Sequence, residues 1–225
     1  MQDSRPLGIF GGTFDPVHFG HLRLAEEAVE SLDLAGIRWI PAGQPKHRAA
    51  PHVGAAHRLR MVELAVAGNP RFAVDAAEVE SDASYTVPTL ERLRVEFGEG
   101  RSLVLLLGAD AYAGLAGWHR WQEIFSLAHI AVTHRPGYAI DAATLPPALA
   151  EEHVRRFRPD GAAFASSAAG CIGSFAMTPL AISATDIRER LQAGRSVRYL
   201  LPRPVIDYIQ THRLYLRQTP ATDGS

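Results

Sequence analysis

An α/β fold, a mostly parallel sheet wound by helices on both faces, is the class this sequence predicts, on three observations. The run Ser102-Leu103-Val104-Leu105-Leu106-Leu107 is apolar without alternation, as in a central strand buried on both sides. A strand at Leu7 to Phe10, a helix at Gly20 to Leu32 and a strand at Ile37 to Pro41 follow at the spacing of a right-handed parallel crossover. The 225 residues, 47% of them hydrophobic, supply the core of one such domain without requiring a second.

Composition narrows the function. A net charge of −1 gives no overall basic field for nucleic acid or an anionic membrane, but leaves room for a small anionic ligand held by local charge. One cysteine, Cys171, excludes an intramolecular disulfide. The N-terminus reads as neither a signal peptide nor a membrane span, so a cytoplasmic protein is expected. Arginine carries nearly all the positive charge, and Lys46 is the only lysine.

The first strand runs into Gly11 and Gly12, read as a turn that brings backbone close to a ligand, and then into Thr13-Phe14-Asp15-Pro16-Val17-His18-Phe19-Gly20-His21. His18 and His21 stand three apart at a helix entrance, which puts both imidazoles on one face. Free first-turn amides, the positive end of the helix dipole and two imidazoles describe a site for a phosphate chain. Neither a Walker loop nor a dinucleotide glycine fingerprint is present. A zinc pair would need further ligands, and Cys171 is far off in sequence.

These nine residues resemble the T/S-F-D-P-x-H-x-G-H signature of the HxGH nucleotidylyltransferases, and more narrowly the bacterial nicotinate-mononucleotide adenylyltransferases. The resemblance runs from about Leu7 to Tyr215. It implies a Rossmann-like sheet and an adenylyl transfer from ATP to nicotinate mononucleotide, with Mg²⁺ bridging the phosphates and no protein metal site. ATP and the mononucleotide are then the partners, with nucleic acid and membrane excluded. It also implies roles for His18 and His21 on the phosphates, for Gly11, Gly12 and Thr13 beside ATP, and for Asp15 beside the mononucleotide.

The later elements follow in order. Ala42 to Ala56 is a loop at a strand's carboxyl end, and its Lys46, His47, Arg48 and His52 either meet phosphates or are solvated. The family's basic turn maps onto Lys46 and His47, in reversed order. His57 to Ala67 reads as a packing helix, and Phe72 to Asp75 as a third strand. Ser84 to Leu90 leads into a helix ending at Phe97, with Thr86 as its cap; the resemblance instead puts Thr86 on the pyridine carboxylate.

Gly108 and Asp110 close the central strand, where a carboxylate either accepts from ribose hydroxyls or caps the next helix. Trp118 and Trp121, three apart, read as one helical face with at least one in the core; the resemblance places Trp118 against the nicotinate ring, with His119 beside it. Ile130 to Thr133 is a strand, and Arg135 in the following R-P-G-Y turn is a phosphate or carboxylate contact or a structural residue. Asp141 to Gly173 carries one helix, around Leu149 to Phe157. A strand at Ser174 to Met177 precedes Ile182-Ser183-Ala184-Thr185-Asp186-Ile187-Arg188, close to a capping box and equally a second polyphosphate site. It resembles the family's second hallmark, which puts Ser183, Thr185 and Arg188 around the ATP phosphates. A helix around Pro204 to Thr211 completes a domain spanning 1–215, and 216–225 read as a disordered tail. Spacing alone does not separate the acid mononucleotide from its amide or from phosphopantetheine as acceptor, nor an enzyme from a non-catalytic nucleotide-binding regulator.

Overall fold

The computed structural model describes residues 4–44, 50–80, 84–135, 137, 140–159 and 162–216. Lys46, His47 and Arg48 of the basic loop, and the tail from residue 217 on, lie outside them.

Six parallel strands form the sheet: β1 (Leu7–Gly12), β2 (Gly36–Pro41), β3 (Phe72–Val74), β4 (Leu103–Gly108), β5 (His129–His134) and β6 (Ile172–Ala176). Their spatial order is β3-β2-β1-β4-β5-β6. The order reverses between β1 and β4, whose Leu7, Gly8 and Ile9 stand opposite Leu103, Val104 and Leu105. In such sheets a crevice opens beyond the carboxyl ends at the reversal, because the two connections leave to opposite faces.

One face packs against α1 (Phe19–Ser31), α2 (Ala55–Val66), α8 (Ala184–Gln192) and α9 (Arg203–Thr211), through Leu24, Ala28, Met61, Val62, Ile187 and Ile206. The other packs against α3 (Thr86–Phe97), α4 (Ala109–Ala113), α5 (Ile124–Leu127) and α6 (Pro147–Arg156), through Leu90, Leu93, Tyr112, Ile124 and Leu149. The short α7 (Ala162–Ser166) buries Phe164 on the first face. β4 contributes to both cores, Leu106 to one and Leu105 to the other, which is why its sequence shows no alternation. Among the described residues no helix is long and apolar enough to cross a membrane.

Four local readings are corrected. Gly11 and Gly12 continue β1 rather than turning, and the left-handed residue is Phe14, with φ 47°. The cap position of α3 is Tyr85, with Thr86 the first helical residue. Trp118 and Trp121 share no helix: a 3-10 turn ends at Gly117, Arg120 is left-handed with φ 55°, and both indoles are half-buried. Two first-turn amides of α1 are already used, since Phe19 N–H donates to the Leu200 carbonyl at 3.0 Å and His21 N–H to the His18 carbonyl at 2.9 Å.

Candidate active site

β1 delivers the first motif to the crevice. Phe14 is buried there, edge-on to Phe10 at 5.4 Å and to the His21 ring at 5.1 Å. A Cβ at Gly12 would stand 2.9 Å from the Phe14 ring, so a residue without one is required. The Asp15-Pro16 peptide is cis. His18 then takes the cap position of α1 with extended backbone, and its N–H donates to His21 Nδ1 at 3.2 Å. That bond fixes the proton of neutral His21 on Nε2, leaving a donor for a ligand.

The two imidazoles stand 3.7 Å apart, tilted by 30°. Burial pulls the pKa of His18 down to about 4, and burial together with the nearby His18 ring holds His21 well below its ordinary value. Both are therefore neutral at pH 7 in the free protein, and a polyphosphate would favour their charged forms. His18 Nδ1 has no partner although the residue is only 7% exposed. Its ring lies over Gly20, where a Cβ would come within 3.0 Å of it.

The second motif meets the first through Arg188. Its Nη1 donates to the Asp15 carbonyl at 2.7 Å and its Nη2 to Thr185 Oγ1 at 3.1 Å. Ser183 caps α8, accepting the Asp186 N–H at 3.1 Å. The Asp15 carboxylate, 6% exposed, is turned into the protein. Oδ1 accepts from the Tyr215 hydroxyl at 2.7 Å, and Oδ2 from the His52 N–H at 2.7 Å, with His52 Nδ1 at 3.3 Å. Burial, with Asp15 adding to it, pushes the Tyr215 hydroxyl well above its usual pKa, so it remains a donor.

A cavity of about 1340 Å³ opens over these groups, large against the roughly 300–1,000 Å³ of common small-molecule sites. Gly11, Gly12, Thr13, Asp15, His21, Gly108, Asp110, Trp118, Arg135 and Arg188 all line it. His18 is not itself on the wall, though its ring is 3.7 Å from that of His21, and Ser183 and Thr185 are exposed at the start of α8. Asp110 is exposed in the first turn of α4, whose cap position is Gly108.

Thr86 and His119 do not line the cavity. His119 packs on Tyr85, with ring centroids 4.9 Å apart, and Arg120 bonds Glu91 at 2.7 Å, which ties the Trp118 loop to α3. Ser84, just before α3, accepts the Gly43 N–H at 2.8 Å.

Three residues escaped the sequence reading. Arg58, 1% exposed, donates to the carbonyls of Thr13 (2.8 Å), Ala42 (2.5 Å), Gly43 (2.5 Å) and Val53 (3.3 Å). Its signal was its place on the stripe of α2 that also buries Met61, Val62 and Val66. Thr133, on the cavity wall, leaves Oγ1 buried without a partner. Tyr215 carried no local signal, since its partner is 200 residues away.

The cytidylyltransferase-like family profile matches residues 9–190. A relative from Dechloromonas aromatica, named "Probable nicotinate-nucleotide adenylyltransferase", is 62% identical over 94% of this chain and 98% of its own. One of the same name from Halorhodospira halophila is 51% identical over 91% and 92%. Among solved structures, the nicotinic acid mononucleotide adenylyltransferase of Plasmodium falciparum complexed with NaAD superposes with a TM-score of 0.67. It is 15% identical and covers 94% of this chain and 97% of its own, a likeness of fold.

Proposed function

The chain belongs to the nicotinate-nucleotide adenylyltransferases of the cytidylyltransferase-like family, and from that premise we propose how its own residues carry the reaction. The reaction is ATP + nicotinate mononucleotide → nicotinate adenine dinucleotide + pyrophosphate, a step of NAD biosynthesis. The single observation that carries the reading is the junction of the two motifs: a close, tilted, neutral histidine pair at the start of α1, with Arg188 bonded to the Asp15 carbonyl beside it.

The mononucleotide phosphate attacks the α-phosphorus of ATP in line, and pyrophosphate leaves. No protein nucleophile is needed, so catalysis is positioning and charge neutralisation. His21 Nε2–H and His18 donate to the phosphates and strengthen those bonds as charge grows on the transferring group. Arg188 neutralises the β/γ side, with Ser183, Thr185 and the start of α8 adding donors. Gly11, Gly12 and Thr13 let backbone approach ATP, and Gly108 and Asp110 take its ribose. Trp118 and Arg135 face the mononucleotide across the cavity, with Lys46 and His47 as its further contacts, while Thr86 and His119, which do not line the cavity, support the start of α3 and the Trp118 loop. Asp15 serves this side from within: its carboxylate is fully engaged, and it holds Arg188 by its carbonyl.

A divalent metal accompanies ATP in enzymes of this kind, and Mg²⁺ is the one proposed. The Asp15 oxygens are engaged by Tyr215 and His52, so phosphate oxygens would mainly hold the metal, with the exposed Asp110 carboxylate also on the wall, and it would supply dispersal of their charge.

The test is pyrophosphate release with Mg-ATP, offering nicotinate mononucleotide, nicotinamide mononucleotide and phosphopantetheine in parallel. Strong preference for the nicotinate form is expected. Equal use of both pyridine mononucleotides would overturn the acid preference, and no release with any acceptor would overturn the reaction.

A further inference from the structure

The buried guanidinium of Arg58 joins two loops that leave the sheet on neighbouring strands. Thr13 follows β1 and belongs to the phosphate motif; Ala42 and Gly43 follow β2 and open the loop on the acceptor side. The connection continues, because Gly43 N–H donates to Ser84 Oγ and Ser84 N–H to the Gln44 carbonyl at 3.3 Å. One cation thus spans, through four carbonyls and a hydroxyl, from the ATP side of the cavity to the start of α3. Its fork explains the residue type: a lysine ammonium has three donors on one atom and cannot face three separate carbonyl directions along a plane.

Arg58 does not line the cavity and so does not touch substrate. We infer that Arg58 is a positioning residue, which fixes the acceptor loop relative to the phosphate motif and thereby sets the in-line distance between the two substrates. The inference rests on the reaction assigned above. In-line transfer depends steeply on that distance: a misplacement of about 1 Å can cost ~100-fold in rate. Binding of ATP alone draws mainly on groups that Arg58 does not touch, the histidine pair and Arg188, with the Thr13 backbone the one ATP-side group it holds.

The molecule supplies its own control. Arg94, 3% exposed, is also wrapped in carbonyls, those of Gly98, Glu99, Arg101, Leu127 and Ala168, but these lie where the chain enters β4, β5 and β6, at the opposite end of the sheet. Arg94→Lys carries the folding cost of removing a buried, carbonyl-wrapped guanidinium, so a loss of activity peculiar to Arg58→Lys reports geometry and not folding.

The experiment compares wild type, Arg58→Lys and Arg94→Lys at a temperature where circular dichroism shows all three folded. The expected result for Arg58→Lys is a kcat lower by about 10- to 100-fold, with the calorimetric Kd for ATP changed by no more than about threefold. Arg94→Lys is expected to melt lower by a similar margin with kcat held within about twofold. A kcat for Arg58→Lys within twofold of wild type, or an equal loss in Arg94→Lys, overturns the inference. Should Arg58→Lys fail to fold, Ser84→Ala cuts the same connection one bond further on. A raised KM for the mononucleotide with an unmoved KM for ATP then upholds the inference, and unchanged constants overturn it. A wild-type protein that releases no pyrophosphate removes the assigned reaction and the inference together, whereas an active wild type with an indifferent Arg58→Lys removes the inference alone.

Discussion

The two ends of the parallel sheet differ in how completely they satisfy their buried polar groups. Where the chain enters the strands, hydrogen bonding is closed: Arg94 is surrounded by carbonyls, His129 donates from Nε2 to the Ser167 carbonyl and accepts the Cys171 N–H on Nδ1, and Ser102 Oγ donates to the Phe164 carbonyl. Where the strands leave, Arg58 and the Asp15 carboxylate are closed in the same way, but other groups are left open. Among the described residues three buried side-chain atoms have no partner, and two of them, His18 Nδ1 and Thr133 Oγ1, are at this end, Trp39 Nε1 being the third. A buried polar group left unpaired costs about 1–3 kcal/mol, so a fold keeps such groups where something other than the fold uses them. The closed end is scaffold, and the open end is site.

The strongest way to break that contrast is His18→Ala. Turnover should fall by roughly 100- to 1,000-fold, as for loss of one preorganised donor, while the urea midpoint moves little, since the buried Nδ1 of His18 has no partner to lose. Steady-state kinetics with a parallel urea titration checks both halves, and near-normal turnover in a folded variant removes His18 from the mechanism.

Next in size is the effect of pH on the free enzyme. His18 titrates at about 4 when folded and near 6.5 when unfolded, so the unfolded chain binds more protons between these values. Stability from this residue is complete above about pH 6.5 and is lost on acidification towards pH 4, by at most ~3 kcal/mol. Thermal melts across this window should slope accordingly in the wild type, and less steeply in His18→Ala. Identical slopes would mean that the histidine is not neutral when folded.

The smallest expected change sharpens the contrast from the other side. Thr133→Val removes an unpaired hydroxyl at nearly constant shape and should stabilise the free protein by about 1 kcal/mol in urea. The corresponding change at the closed end, Ser102→Ala, should destabilise by a similar amount, because it strands the Phe164 carbonyl. Equal signs for the two substitutions would refute the division of the sheet into scaffold and site.

What the sequence disclosed follows the same division. The strands were legible because a two-sided parallel sheet demands continuous apolar runs, and Leu103–Gly108 met that demand most fully. His18, His21 and Arg188 were legible because their neighbours in sequence are also their neighbours in space, at two helix starts. The bond from Arg188 to the Asp15 carbonyl was not, since a backbone acceptor leaves no mark on residue type. Arg58 was overlooked for that reason: all its partners are carbonyls. The tryptophans were misplaced because spacing of three implies a shared face only where the helix continues, and the left-handed Arg120 interrupts it. The glycines were misread as the turn because Phe14, a bulky residue, takes the positive φ; it is held there by packing on Phe10, Trp39 and His21.

The hydrogen bond from Tyr215 to Asp15 also sets a schedule for the chain as it leaves the ribosome. At about 5–20 residues per second, the carboxylate emerges roughly 10–40 s before the hydroxyl that closes on it. During that interval the strands of the first half can pair, but Asp15 lacks one of its three donors, and the α1 amide that bonds Leu200 waits almost as long. A nascent or prematurely ended chain therefore exposes an unfinished nucleotide pocket.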